Sequence, residues 1–211
     1  MPCPACNRTE DCDPTIFVVD DDEAMRHSLD FLLASFNLPV ETYPSAEAFL
    51  AEWRPDRPGC LVLDLRMPGM TGLDLQRLLN RRNATLGIIF ITAHGDIPMA
   101  VDAMRQGAID VLEKPFDDQV LLGHVATALE RSRQSCQTAQ RRREVQARLE
   151  TLSARERAVM ERVIQGKANK VIAFELGLSI KTIEVHRHHF MEKMAATSVA
   201  ELTRRLTEAG L

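Results

Sequence analysis

Five short, largely apolar runs separated by amphipathic stretches constrain the fold of this chain more than any other feature. The runs are IFVV at 16–19, VETY at 40–43, CLVL at 60–63, GIIFI at 87–91 and IDVL at 109–112. The stretches between them predict helices at about 23–36, 46–53, 72–82 and 97–106, and a further helix begins near Asp117. Strands that alternate with helices favour right-handed βαβ units. Residues 15–130 are therefore predicted to form an α/β domain with a five-stranded, doubly wound parallel sheet.

The chain changes character after residue 130. Residues 131–150 contain no Gly or Pro and many helix-forming residues, which predicts a solvated helical linker, with a flexible coil as the alternative. Residues 151–211 show only helical patterns and predict a small all-α domain of four helices. Polar residues that can cap helix starts mark these helices: Ser153 with Glu156 as a capping box, Asn169, Ser179 and Ser198.

Charge is divided unevenly along the chain. Residues 1–130 carry 10 Lys and Arg against 21 Asp and Glu, whereas residues 131–211 carry 16 against 9. This asymmetry favours nucleic acid as a partner of the second part, although solvated charged faces are an equally good explanation. No stretch approaches the roughly 18 apolar residues of a membrane span, and no secretory signal is visible, so we expect a cytoplasmic protein with no membrane partner.

Reactive side chains follow four of the apolar runs. They are Asp20, Asp21 and Asp22 after the first run, Asp64 after the third, Thr92 after the fourth and Lys114 after the fifth. The carboxyl ends of parallel strands lie at one edge of the sheet, where open α/β sheets bind ligands. We therefore expect these side chains to lie close together, although Asp22 can equally be only a helix cap.

The chemistry of this group points to phosphoryl transfer. Carboxylates such as Asp20, Asp21 and Asp64 suit Mg²⁺, and an Asp can itself attack a phosphoryl group. Asp64 stands alone at a strand end before the loop LRMPGMTG, and we predict that it is the nucleophile. Lys114 can neutralise developing charge and Thr92 can donate a hydrogen bond to a phosphoryl oxygen.

The motifs VVDDDE, VLDLRMPGMTG, FITAHGD and LEKPF resemble the receiver domain of two-component response regulators. The resemblance implies a flavodoxin-like sheet and a sensor histidine kinase that phosphorylates Asp64. It also implies Mg²⁺ bound by Asp20, Asp21, Asp64 and the backbone carbonyl of Arg66, and a cis Lys114–Pro115 bond. One position departs from the pattern: Val111 stands where many receivers have a Tyr or Phe that moves together with the switch hydroxyl.

The helix SIKTIEVHRHHFMEKM near the end of the chain has one apolar and one polar face. The polar face can contact base edges in the major groove through Glu184, Val185 and His188. Basic and polar residues that can contact phosphates are Lys170, Lys181, Thr182 and Arg187. Glu184 can instead pair with a neighbouring arginine.

The motifs of residues 150–209, S-x-R-E, G-x-x-N-K-x-I-A and L-x-L-S-x-K-T-I-E-x-H-R, resemble the LuxR-type helix–turn–helix. Together the two resemblances imply a regulator of the FixJ/NarL type that activates transcription and is not an enzyme. The implied partners are promoter DNA, RNA polymerase and a second copy of the chain after phosphorylation. The apolar set on the fourth helix that could serve such a dimer is Pro98, Met99, Val101 and Met104.

Several alternatives remain open at this point. The receiver could act mainly as a protein-binding module, independently of phosphorylation, or the aspartate nucleophile could belong to a phosphatase. We expect residues 1–14 to form a disordered leader, and a metal or redox role for Cys3, Cys6 and Cys12 is the alternative. His94 could border the phosphorylation site or simply face solvent.

Overall fold

The computed structural model describes residues 14–55, 57–93 and 97–211, which form two compact units that divide after Cys136. The hypotheses on Cys3, Cys6, Cys12 and His94 concern residues outside these ranges. No helix within the described ranges is long and apolar enough to cross a membrane.

The first unit is built on a five-stranded sheet. Its strands are β1 (Thr15–Val19), β2 (Val40–Tyr43), β3 (Gly59–Asp64), β4 (Gly87–Thr92) and β5 (Asp110–Glu113). All neighbouring strands pair in parallel, in the spatial order β2-β1-β3-β4-β5. This is the flavodoxin-like doubly wound order, so the predicted fold class of this unit is confirmed.

Five helices connect and follow these strands. They are α1 (Glu23–Leu33), α2 (Ala46–Glu52), α3 (Gly72–Arg81), α4 (Ile97–Arg105) and α5 (Asp118–Glu150). The first helix was predicted to continue to residue 36, but its last turn, Ala34–Phe36, is a 3₁₀ helix. Asn37 then adopts a left-handed conformation with φ 53°, which ends the helix.

Both faces of the sheet are buried, as the continuous apolar runs predicted. Phe17 and Leu61 point into a core layer with α2 and α3, whereas Ile16 and Val62 point into the opposite layer with α1 and α5. Ser132 of α5 is buried, and its hydroxyl accepts a hydrogen bond of 2.8 Å from the backbone N–H of Gly59 at the start of β3. The first unit therefore uses α5 beyond residue 130.

The second unit contains the four predicted helices. They are α6 (Ala154–Ile164), α7 (Asn169–Leu176), α8 (Ile180–Lys193) and α9 (Val199–Glu208). Segment 131–150 lies within α5, and its residues Val145 and Leu149 pack in the core of this unit. The capping box at Ser153 is present.

The prediction that Asn169 caps α7 is wrong. The N-cap of this helix is Ala168, which makes no side-chain capping bond. The Oδ1 atom of Asn169 instead accepts a hydrogen bond of 2.8 Å from Arg187 Nη1. The side chain thus links α7 to α8. The local sequence could not predict this contact, because Arg187 lies 18 residues from Asn169 and is brought to it by the packing of the two helices.

Candidate functional site

Lys114 lies between two carboxylates at the carboxyl edge of the sheet. Its Nζ donates to Asp20 Oδ2 and to Asp64 Oδ1, each at 3.0 Å. Asp20 follows β1, Asp64 ends β3 and Lys114 follows β5, so three separate segments deliver these groups to one place. Both aspartates are buried.

Burial and charge act in opposite directions on this group. Burial raises the pKa of Asp64, hydrogen bonding and charge from Lys114 lower it, and the charge of Asp20 raises it again. Burial lowers the pKa of Lys114, but its hydrogen bonds to the two carboxylates outweigh burial and raise that pKa overall. The lysine therefore stays charged at neutral pH beside a poorly solvated carboxylate, that of Asp64.

The second oxygen of Asp64 is bound by the loop that follows it. The backbone N–H of Arg66 donates to Asp64 Oδ2 at 2.7 Å. The loop closes onto β3 where the N–H of Gly72 donates to the carbonyl of Leu65 at 3.2 Å. The backbone N–H of Arg66, the residue whose carbonyl the resemblance implies as a metal ligand, is thus held beside the carboxylate.

Thr92 ends β4 at the same edge and is buried. The β3–β4 register places Asp64 opposite Ile91, the neighbour of Thr92. The backbone N–H of Lys114 donates to the carbonyl of Thr92 at 2.8 Å, and the Lys114–Pro115 bond is cis, as the resemblance implied. The threonine hydroxyl donates to the carbonyl of Ala93 at 3.2 Å.

The three adjacent aspartates have different surroundings. Asp22 is the N-cap of α1 and accepts from the N–H of Ala24 at 2.9 Å, which is the structural alternative considered for it. Asp20 accepts from the N–H of Asp22 at 2.8 Å, whereas Asp21 is exposed. The cluster is therefore one buried carboxylate, one exposed carboxylate and one cap.

The oxygen donors at this edge suit Mg²⁺. Within the described ranges, no three His, Cys, Asp or Glu side chains already converge on a common metal position. Mg²⁺ nevertheless needs only one or two protein carboxylates, because water and phosphate oxygens complete its octahedron. Asp20 and Asp64 supply two carboxylates, and exposed Asp21 is the neighbour of Asp20 in the chain. The residues present thus fit this ion.

The predicted DNA-contacting side chains lie on α7 and α8. Glu184, Val185 and His188 are exposed on α8, opposite the buried Ile183 and Phe190. Further along the same surface, His188 Nε2 lies 3.7 Å from Glu192 Oε2. This exposed polar face, joined to a short preceding helix by the turn at Gly177, has the arrangement of a helix–turn–helix.

The predicted phosphate-contacting residues are not equivalent. Lys170 and Lys181 are exposed. Thr182 is half-buried and its hydroxyl lies 2.8 Å from Ser179 Oγ. Arg187 is half-buried and hydrogen-bonded to Asn169, so its guanidinium stabilises the α7–α8 packing. The two lysines are therefore freer to meet a backbone phosphate than Arg187.

Sequence reasoning missed Glu47. This residue lies in the first turn of α2, and its Oε1 accepts from the N–H of Met70 at 3.0 Å, in the loop after Asp64. A glutamate early in a helix is ordinary, because acidic residues favour helix N-termini. No local pattern could reveal that α2 packs beside this loop.

The sheet edge and the exposed helix together define a class of protein, a response regulator with a DNA-binding domain. Residues 16–126 match the response regulator receiver domain family, and residues 150–206 match the luxR family of bacterial regulatory proteins. The transcriptional regulatory protein FixJ of Azorhizobium caulinodans is 47% identical over 196 residues, 93% of each chain. Nodulation protein W of Bradyrhizobium diazoefficiens is 47% identical over 93% of this chain and 86% of its own.

A solved structure gives the same result. The response regulator StyR has a TM-score of 0.83 and 43% identity, over 93% of this chain and 100% of its own. The chain therefore belongs to the FixJ-type response regulators, in which a receiver domain switched by phosphorylation is joined to a LuxR-type DNA-binding domain.

Proposed function

We propose that this protein binds promoter DNA in the cytoplasm and regulates transcription after a sensor histidine kinase transfers a phosphoryl group to Asp64. The observation that carries the proposal is the lysine-bridged pair of carboxylates, in which Lys114 Nζ lies 3.0 Å from both Asp64 and Asp20. A buried nucleophile beside a fixed cation is what acyl-phosphate formation needs, because charge develops on the transferred group.

The proposed phosphoryl transfer from the kinase to Asp64 breaks one bond and forms one bond. An oxygen of Asp64 attacks the phosphorus of the kinase phosphohistidine, the P–N bond breaks, and its electron pair leaves with the imidazole. Lys114 faces the developing negative charge, and the Thr92 hydroxyl can turn from Ala93 to donate to a phosphoryl oxygen. Asp20, Asp21, Asp64 and the carbonyl of Arg66 would hold Mg²⁺, which supplies further charge neutralisation when bound.

Dimerisation through α4 is the proposed output of this switch. Ile97, Val101 and Met104 are exposed on this helix, at 75%, 45% and 45%. The predicted surface included Met99, but that side chain packs against the core of the first unit. Half-buried Val111 also packs there, so no large aromatic side chain couples β5 to α4 at that position.

The proposed dimer would place two α8 helices on spaced half-sites in the major groove. The residues proposed to contact bases are Glu184, Val185 and His188. The residues proposed to contact phosphates are Lys170, Lys181, Thr182 and Arg187. RNA polymerase is the expected further partner of a regulator bound at a promoter. Two relatives of this chain carry the name transcriptional regulatory protein FixJ, which supports a role in transcription.

Intact-protein mass spectrometry after incubation with Mg²⁺ and acetyl phosphate tests the proposal. We expect a gain of one phosphate in the wild type and none in Asp64→Asn, and tighter binding of promoter DNA by the phosphorylated wild type. A phosphatase would instead turn over a generic phosphate ester. Unchanged promoter output in Asp64→Asn would favour a receiver that acts as a protein-binding module.

A further inference from the structure

We propose that Glu47 is a positioning residue for phosphoryl acceptance, because its carboxylate holds the loop between Asp64 and α3 in place. The inference rests on the proposed function of Asp64. It assigns a role to α2, a helix that contributes no side chain to the reacting group itself.

The contact between Glu47 and the loop is direct. Glu47 Oε1 accepts a hydrogen bond of 3.0 Å from the backbone N–H of Met70. The preceding Gly69 has a left-handed backbone with φ 79°, and a Cβ built on it would lie 3.0 Å from the same oxygen. The carboxylate therefore lies against the loop backbone at Gly69 and Met70.

Glu47 is attached to a rigid helix. Ser45 caps α2 by accepting from the N–H of Ala48 at 3.2 Å. Phe49 of this helix is fully buried and packs edge-on against the ring of Phe17 at 5.4 Å between centroids. Hydrogen bonds from the backbone amides of Glu47 itself and of Met70 lower the pKa of Glu47, so the carboxylate is charged at neutral pH.

The two ends of the loop show what this anchor would control. At the first end, the N–H of Arg66 donates to Asp64 Oδ2 at 2.7 Å. At the other end, Thr71 caps α3 by accepting from the N–H of Asp74 at 3.2 Å. Loosening the middle of the loop frees the backbone dihedral angles on both sides of Arg66. Changes in these angles would move the N–H of Arg66, which orients the Asp64 carboxylate, and its carbonyl, which is proposed to bind Mg²⁺.

The test compares three variants of the full chain with the wild type. Glu47→Ala removes the acceptor, whereas Glu47→Gln keeps an amide oxygen at the same position. Glu52→Ala is the matched control, since this exposed glutamate is on the same helix and its carboxylate faces Tyr43 at 3.5 Å instead of the loop. Mg²⁺ affinity is measured by titration calorimetry on the unphosphorylated protein, and phosphorylation by mass after mixing with acetyl phosphate.

We expect Glu47→Ala to weaken Mg²⁺ binding and to slow phosphorylation, each by about three- to tenfold, because misplaced catalytic groups react more slowly. Glu47→Gln and Glu52→Ala should stay within about twofold of the wild type. The fluorescence of Trp53, buried in the core of the first unit, reports whether any variant is unfolded.

Wild-type Mg²⁺ affinity and rate in Glu47→Ala would overturn the inference while leaving the proposed function intact. A Glu47→Gln variant as defective as Glu47→Ala would also overturn it, because the negative charge and not the loop hydrogen bond would then be required. A wild type that gains no phosphate would overturn the proposed function itself. The calorimetric result separates these cases, since it needs no phosphorylation.

Discussion

Replacing Lys114 with Met tests the electrostatics of the proposed phosphorylation site most directly. The variant keeps an unbranched side chain but removes the ammonium that lies 3.0 Å from Asp20 Oδ2 and 3.0 Å from Asp64 Oδ1. These two oxygens are no more than about 6 Å apart, twice 3.0 Å, and would face each other without a cation. Their side chains are 3% and 9% exposed, so water screens the repulsion weakly.

The size of the effect follows from this geometry. Two like unit charges about 6 Å apart repel by about 3 kcal/mol at an effective dielectric constant of about 20. The Lys114 side chain is 25% exposed, so in the variant water can solvate the two carboxylates and replace part of the stabilisation that the ammonium gives them. We expect Lys114→Met to lower the free energy of unfolding at pH 7 by about 2–3 kcal/mol, below the usual cost of breaking a fully buried ion pair.

The loss should depend on pH in a defined direction. Burial already raises the pKa of Asp64, and removal of the lysine raises it further. A carboxyl group whose pKa is higher in the folded than in the unfolded protein destabilises the fold above its unfolded pKa, and this penalty disappears as the group is protonated. The difference between variant and wild type should therefore shrink as the pH falls from 7 towards 4.

Urea unfolding of the full chain without Mg²⁺ measures these differences. Trp53 is the only tryptophan and is buried in the first unit, so its fluorescence reports the unfolding of that unit alone. The double variant Lys114→Met/Asp64→Asn should recover most of the lost stability, because one carboxylate charge is gone. Equal stability of Lys114→Met and wild type at pH 7, or a loss that Asp64→Asn does not relieve, would refute the reasoning.

Three further predictions concern other parts of the chain. A hydrogen bond from Lys193 and the capping box lower the pKa of Glu156 to about 2, so its contribution to stability is complete above pH 4.5 and is lost as the pH falls towards 2. Glu156→Ala should lower the stability of the second unit by about 1–2 kcal/mol in urea unfolding followed by circular dichroism. Lys170→Ala should reduce the slope of log affinity against log salt by about 1 in DNA-binding titrations, whereas Glu184→Ala should keep that slope and relax base preference by about 1–3 kcal/mol. In Gly72→Ala, the added Cβ would clash with the backbone carbonyl oxygen of Asp64, the proposed phosphoacceptor. We therefore expect the free energy of unfolding, followed by tryptophan fluorescence, to fall by about 1–3 kcal/mol, and phosphorylation, followed by mass, to slow.

The proposed phosphorylation site shows how much of a site local sequence patterns can predict. Asp64, Thr92 and Lys114 were predicted to lie at one edge of the sheet because each follows an apolar run and parallel strands end at a common edge, and the structure places them there. The same reasoning could not say that Lys114 would donate to both Asp20 and Asp64 at equal distances, since that depends on rotamers set by packing. It also could not separate the cap Asp22 from its neighbours.

In the helical domain, too, some contacts could be predicted from the local sequence and others could not. Ser153 and Ser179 were correctly predicted as helix caps. A capping hydrogen bond joins residues only three positions apart, so the local sequence is enough to predict it. Asn169 carries the same kind of side chain at a helix start, but it binds Arg187, which is 18 residues away. Met99 lies in an apolar stripe, yet it packs inward against the core of the first unit.

The sequence by itself determined the order of strands and helices, the parallel sheet, most helix caps and the set of reactive groups at the sheet edge. These properties depend on periodicity and on contacts within a few residues. Only the tertiary structure decided which groups touch: the lysine bridge between Asp20 and Asp64, the Asn169–Arg187 link and the anchoring of the Met70 amide by Glu47. The physical reason is that hydrogen bonds and ion pairs act over about 3 Å, and which side chains come that close is fixed by the packing of whole elements.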